Sequence, residues 1–421
     1  MPNLQLQAAL NRLLRNKTKP CETEFFKPVD PNYLSNRIEE LLRNYAFIEK
    51  LDRLAINDAA IEMGYPEWHG CRGPDGEYQL ILAVNDIFTE RAVGSGKSKI
   101  AFGALRLDGE TGVEDYVNLL VDISGKNLEK RTRKAEKLKG EILLPWELQG
   151  TLNRERFKET PGFLLCVLGH KRTYDGKYSQ HVFAPRGKTL RNFRAECNPG
   201  EFELIAVQLC ETLAYLHDEK KIYHEDIKPD NIVIIRKNGI KAYFIDWGLC
   251  SCFNDYGIAT LGYETPELRV AHDPESRPLI PYWKYRGEYT KALVGVDTLA
   301  KYYLNQMLES QKRQLYQRCE DFLHPSFAND VYALGITFWE MTEGRGHIPT
   351  MALTTQPWIG MMACFREGRW TAREALEHWR SKLDERAAAL ASQRILEFRS
   401  RGRLPMPAPQ AGLRRKGCVI L

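Results

Sequence analysis

Hydrophobic positions along the chain change period three times, and each change predicts a different kind of structure. In the first segment Leu4, Leu6, Ala9, Leu10, Leu13 and Leu14 recur at roughly helical spacing. Pro20 and Pro28 interrupt, and Ile38, Leu41, Leu42, Tyr45 and Ile48 resume the pattern, which predicts an ancillary helical layer over residues 1–77. From about Tyr78 the pattern shortens to strands with Gly-rich turns, through Ile81–Val84, Ile100–Phe102 and Tyr116–Val121. Phe163–Leu168 and His181–Phe183 predict two more strands before Ala184-Pro185-Arg186-Gly187. Helical spacing returns over Glu201–His217 and dominates the rest. Within that helical half, Ile232–Ile235 and Ala242–Ile245 predict a hairpin that turns at Asn238-Gly239.

This hairpin has chemistry at one end. Asp226 and Asn231 precede its first strand in the run Tyr223-His224-Glu225-Asp226-Ile227-Lys228-Pro229-Asp230-Asn231, and Asp246-Trp247-Gly248 follows its second. Transfer of a phosphoryl group is catalysed mainly by positioning and charge neutralisation. It needs a carboxylate at the attacking hydroxyl and oxygen ligands for Mg²⁺, which Asp226 and the pair Asn231 and Asp246 could supply.

The spacing of these residues resembles the catalytic loop and metal motif of eukaryotic-type protein kinases. Three further segments occur in that family's order. Thr260–Glu267 resembles the end of an activation segment, Asp330–Gly335 the start of the central large-lobe helix, and Arg369–Leu376 the last helix with the arginine before it. The resemblance implies an α+β, two-lobed protein-kinase-like fold, with a small β-rich N-lobe over 78–184 and a larger helical C-lobe over 185–400. Residues 184–187 would form the hinge against the adenine. It implies ATP and Mg²⁺ as cofactors, Asp226 and Lys228 as catalytic residues, and Asn231 and Asp246 as metal ligands. His224, Gly248, Glu267, Asp330 and Arg369 take structural roles, with Asp330 on the catalytic-loop backbone and Glu267 paired to Arg369. Lys228 and Thr260 match Ser/Thr rather than Tyr kinases.

The small lobe departs from the family pattern. Gly94 and Gly96 take the first two positions of a nucleotide-binding Gly-x-Gly-x-x-Gly turn, while Lys99 takes the third. A Walker reading of Gly94–Ser98 fails because its first glycine would fall on Arg91. The strand expected to carry the nucleotide-positioning lysine, Tyr116–Ser124, places Leu120 near that slot and leaves Lys126 as the nearest lysine. Its acidic partner is Glu147, after Pro145, with Glu136 and Glu141 as competitors. Two departures bear on control. Glu225 replaces the arginine that binds an activation-segment phosphate in many kinases, and a carboxylate there repels phosphate. An insertion over 268–329, helical in its second half from Thr290 to Phe322, borders the expected peptide platform. It would serve either as a protein-binding element or as a stabilising cover.

Composition narrows the partners. Among 421 residues, 60 basic against 55 acidic side chains leave +5, too small a bias to imply nucleic acid. Ten cysteines show no zinc spacing, which suits reduced thiols in cytoplasm. No apolar run of about 20 residues could span a bilayer. The tail 401–421 ends in Cys418-Val419-Ile420-Leu421, a CaaX box whose leucine favours geranylgeranyl, behind Arg414, Arg415 and Lys416 and a Pro-rich linker. The expectation is a Ser/Thr protein kinase, cytoplasmic and membrane-associated through a lipid on Cys418, acting on a protein substrate. Two alternatives remain: a nucleotide-binding pseudokinase scaffold, and a small-molecule phosphotransferase, which Thr265-Pro266-Glu267, Asp330 and Arg369 disfavour.

Overall fold

The computed structural model describes residues 68–72, 78–83, 92–95, 99–108, 112–122, 168–174, 178–236, 239–250, 260, 263–271, 304, 307–318, 326–343, 360–362 and 366–401, with residues 8, 9, 36 and 40. An antiparallel β unit precedes a helix-rich unit, the α+β two-part order that the hydrophobic periods predict.

Seven strands build the first unit: β1 (Trp68–Arg72), β2 (Tyr78–Ala83), β3 (Ala92–Ser95), β4 (Lys99–Asp108), β5 (Gly112–Asp122), β6 (Leu168–Tyr174) and β7 (Tyr178–Pro185). Their order is β2-β1-β6-β7-β5-β4-β3, and β2 also pairs with β4. Strands β1, β2, β4, β5, β7 and β6 therefore close into a ring, with β3 alone outside it on β4. Closure removes the exposed strand edges that an open sheet leaves. Ala83 lies opposite Ala104 and Ala104 opposite Tyr116, while Phe102 and Phe183 both lie opposite Asn118. These side chains are buried, and Ile81, Ala83, Ala104, Tyr116 and Phe183 form one cluster. The sheet begins at Trp68, inside the segment assigned to the N-terminal extension. Of that extension only Ala8, Ala9, Asn36 and Glu40 are described, all helical.

The chain leaves β7 at Pro185 and enters the second unit through β8 (Lys188–Thr189), which pairs with β9 (Ile232–Arg236). Gly187 makes this crossing possible. A Cβ there would sit 2.3 Å from Val233 Cγ1 and 2.6 Å from the Ile234 carbonyl oxygen, so only glycine fits. Strand β9 pairs with β10 (Ile240–Phe244) in the predicted hairpin, and Gly239 supplies its turn at φ +103°.

Among the described residues this unit has six α-helices: α1 (Leu190–Phe193), α2 (Pro199–Tyr215), α3 (Pro266–Ala271), α4 (Glu309–Gln317), α5 (Phe327–Glu343) and α6 (Ala372–Arg401). Asn198 and Glu201 form a reciprocal capping box at the start of α2, with Pro199 in the first turn. Thr371 and Glu374 make the same reciprocal bonds at the start of α6. Phe202 of α2, Phe338 of α5 and Trp379 of α6 meet edge to face, with ring centroids 5.3 to 5.6 Å apart. Buried Gln208 of α2 donates to the Ile240 carbonyl at 3.0 Å and accepts from Ala242 N–H at 2.9 Å, so the free edge of β10 is held by a helix. The insertion contributes α4, which packs against α3. The rest of its predicted helical half lies largely outside the described residues.

Glu267 and Arg369 tie α3 to the approach of α6. Arg369 Nη2 donates to both carboxylate oxygens at 2.8 and 2.7 Å, and the two side chains are 2% and 0% exposed. The guanidinium also lies 4.9 Å over the Tyr332 ring. Glu267→Ala should remove the carboxylate that this buried cation faces and cost about 3–5 kcal/mol. Calorimetry should show a drop of many degrees in the thermal midpoint, and an unchanged midpoint would mean the pair stabilises nothing.

Candidate active site

The loop that carries Asp226 is held from below by one carboxylate. Asp330, in the first turn of α5 and 1% exposed, accepts from His224 N–H at 2.7 Å and Glu225 N–H at 2.8 Å. His217 Nε2 lies 3.1 Å from the same group. Asp330 thereby fixes the peptide groups on both sides of His224, and Glu225, the next residue, adopts φ +64°. A non-glycine residue pays a steric penalty in that left-handed region, so the conformation persists only where neighbours over-determine it.

His224 joins this loop to the second motif. Its Nε2 donates to the Ile245 carbonyl at 3.1 Å, and Nδ1 accepts from Asp226 N–H at 3.3 Å. The ring is fully buried against Phe244 and Trp247. Burial pushes its pKa below the usual histidine range, despite opposing charges from Asp330, Asp226 and Asp246. The neutral ring keeps the Nδ1 lone pair that Asp226 N–H requires. Ile245 N–H in turn donates to the Asn231 carbonyl at 2.9 Å, which brings the residue after it, Asp246, beside the end of the loop. Asp246 is also left-handed, at φ +68°, and leads into the turn Trp247–Leu249 that holds buried Gly248.

Asp226 is the meeting point of three side chains. Lys228 Nζ donates to Asp226 Oδ2 at 2.7 Å and to Thr260 Oγ1 at 2.8 Å, and Thr260 Oγ1 donates to Asp226 Oδ1. Asn231 Nδ2 donates to the Asp226 carbonyl at 2.9 Å and to Oδ2 at 2.8 Å. With its amide nitrogen engaged, Asn231 offers Oδ1 as its remaining donor atom. Oxygen from Asn231 and a carboxylate from Asp246 suit Mg²⁺, which binds through one or two protein groups and completes its shell with phosphate and water. Among the described residues no group of three His, Cys, Asp or Glu side chains could hold a metal ion.

The large-lobe residues singled out in the sequence, His224, Asp226, Lys228, Asn231, Asp246, Gly248 and Asp330, thus fall in one place. Glu267 and Arg369 pair behind it. The small lobe is different. Gly94 lies on β3 opposite Ala101, where the β3–β4 register shifts. Gly96, Lys126, Glu147, Glu136, Glu141, Arg414, Arg415, Lys416 and Cys418 lie outside the described residues. Strand β5, which contains the Leu120 slot, has no lysine or arginine from Gly112 to Asp122. Sequence reading passed over His217 on Asp330, and over a cluster of Arg191, Asp230, Tyr263 and Glu340 next to Lys228. Asp230 stood inside the loop motif, but nothing in the pattern pointed to its partners.

Residues 183–279 match the family model of the protein kinase domain. That stretch contains the hairpin, the left-handed Glu225 and Asp246, and the donors around Asp226. The fold is protein-kinase-like. Among solved structures, the chain is similar to the kinase domain of a Toxoplasma gondii rhoptry antigen at 13% identity, covering 91% of this chain and 98% of that one with a TM-score of 0.47. No curated protein matches the sequence.

The histidine link sets a pH dependence. His224 has a lowered pKa when folded, whereas in the unfolded chain it titrates near its ordinary value of about 6.5. Below that value the unfolded state binds more protons, so stability should be present at neutral pH and fall as the pH drops. Thermal midpoints recorded from about pH 7.5 to about pH 5.5 should decline less steeply in His224→Asn than in wild type. Parallel slopes would remove His224 as their source.

Proposed function

We propose that the chain transfers the γ-phosphoryl group of ATP to a Ser or Thr hydroxyl of a protein substrate, with Mg²⁺. The observation that carries this reading is the arrangement around Asp226: a carboxylate oriented by Lys228, Thr260 and Asn231, with Asp246 brought alongside through the His224 and Ile245 bonds. Asp226 orients the acceptor hydroxyl and takes its proton. Lys228, already within reach of Asp226 and Thr260, places a cation where charge develops on the transferred group. Asn231 and Asp246 would hold Mg²⁺, which when bound would neutralise charge on the phosphate oxygens. Thr260 bonded to both Asp226 and Lys228 supports Ser/Thr over Tyr as acceptor.

A second reading, a nucleotide-binding scaffold without transfer, is favoured by the absence of any lysine or arginine on β5. A phosphate-positioning cation must then come from elsewhere, such as Lys126, with Glu147 as its partner. The same proposal places the protein on a cytoplasmic membrane face, through geranylgeranyl on Cys418 supported by Arg414, Arg415 and Lys416. The tetrapeptide Cys418–Leu421 and the basic residues before it support this. Among the described residues no helix is long and apolar enough to cross a membrane.

Purified protein with Mg²⁺ and ATP should phosphorylate itself or a generic Ser/Thr substrate. Asp226→Asn should lower kcat by about 10²- to 10⁴-fold with nucleotide binding retained, and Asp246→Asn should lose activity by removing a metal ligand's charge. Nucleotide binding without transfer by wild type, under several divalent metals, would select the scaffold reading. For the tether, lipid burial of about 0.8 kcal/mol per methylene should outweigh about 1 kcal/mol for each basic residue. Cell fractionation should therefore find Cys418→Ser in the soluble fraction and wild type on membranes, and equal soluble fractions would refute tethering through this cysteine.

A further inference from the structure

Beside Lys228 the loop passes through Pro229 and presents Asp230 to solvent, with its side chain 46% exposed. Arg191 of α1 meets it fork to fork, Nε to Oδ1 and Nη2 to Oδ2, both at 2.7 Å. The same guanidinium reaches Tyr263 Oη at 3.2 Å and Glu340 Oε2 at 3.5 Å, and Tyr263 donates its hydroxyl proton to Glu340 at 2.7 Å. Burial works against the charged Arg191, but its bonds to Asp230 and Tyr263 outweigh that and raise its pKa further. Asp230 and Glu340 thus both face this one guanidinium.

This cluster is continuous with the transfer site on two sides. Asp230 lies two residues beyond Lys228, and Tyr263 N–H donates to the carbonyl of Thr260, which bonds Lys228 and Asp226. Any peptide that brings a hydroxyl to Asp226 must lie near it. The bidentate fit also shows what the acidic site is shaped to hold, because a planar fork matches a carboxylate where an ammonium does not.

The geometry points to Arg191 as a specificity-determining residue: it fills from within the chain an acidic, guanidinium-shaped site beside the acceptor position, so the substrate is a peptide with a neutral side chain there. An incoming arginine would have to displace Arg191 or meet its like charge. An incoming carboxylate would meet the like charges of Asp230 and Glu340. Without Arg191 the vacated carboxylates would take an arginine from the peptide. The inference rests on the phosphoryl-transfer reading of the Asp226 site for its acceptor, and on the ion-pair geometry alone for its charge preference.

The test uses the full chain as wild type, Arg191→Ala, Arg191→Met, which retains most of the side-chain stem, and the double variant Arg191→Ala/Asp230→Asn. Ser/Thr peptides carry arginine, alanine or glutamate at each position flanking the acceptor. Both kcat/KM with Mg²⁺ and ATP and peptide Kd by fluorescence anisotropy are measured. Wild type should discriminate arginine from alanine by no more than about twofold, while both single variants should favour arginine at one flanking position by about tenfold or more, equal to about 1.4 kcal/mol. The double variant should lose that gain. Identical arginine discrimination in wild type and both single variants by both readouts would overturn the assignment, as would a gain that survives Asp230→Asn. The two readouts separate this inference from the reading beneath it. An arginine-dependent gain in binding with no transfer by any protein would uphold the role of Arg191 and sink phosphoryl transfer, whereas transfer with unaltered selectivity would do the reverse.

Discussion

The candidate site depends on a buried carboxylate that takes no part in the chemistry. Asp330 projects from the first turn of α5, where the helix dipole favours negative charge, and it spends its lone pairs on peptide N–H groups of His224 and Glu225. Glu225, just past the second of these N–H groups, is left-handed, and Asp226 follows it facing Lys228, Asn231 and Thr260. The core helix α5 thus serves as the fixed reference for the loop. Val331, Tyr332, Leu334 and Phe338 bury its face, so the carboxylate has no freedom to follow a loop that drifts.

The second motif is located relative to the first by hydrogen bonds rather than by packing alone. His224 reaches the Ile245 carbonyl and Ile245 N–H reaches Asn231, while Gln208 holds the outer edge of β10. Each bond lies in a buried setting, where a missing partner costs about 1–3 kcal/mol. The hairpin therefore cannot slide in register without exposing several unsatisfied groups at once. This is a sufficient reason for Asp246 to sit beside Asn231 in a strained conformation. A carboxylate, Glu225, occupies the position adjoining Asp226, and the arginine beside the loop is instead Arg191, which belongs to another element and answers to Asp230 and Glu340.

Much of this was legible in the sequence because it is local. The period of the hydrophobic positions located the strands around residue 100 and residue 118, the hairpin at Gly239 and the helix from Glu201, and short spacings such as Asp226 to Asn231 put oxygen donors at one end of that hairpin. The capping boxes at Asn198 and Thr371 likewise involve residues three apart. What a sequence could not show was closure of the β unit. That closure rests on β2 pairing with β4 and β1 with β6, contacts whose register depends on curvature and not on any residue pattern.

Tertiary structure alone decided which charged groups meet. Arg191 reaches Asp230 across 39 positions and Glu340 across 149, and His217 reaches Asp330 across 113. Charged side chains at such separations are solvated in the unfolded chain, and nothing in their spacing distinguishes the few that will be paired. The sequence by itself determined the order of strands and helices and the chemical identity of the groups around Asp226, because local backbone preference and side-chain type are properties of neighbouring residues. The fold decided their orientation, the neutral state of His224 and the occupation of the Asp230 site by Arg191, because each depends on burial and on partners that only packing brings within reach.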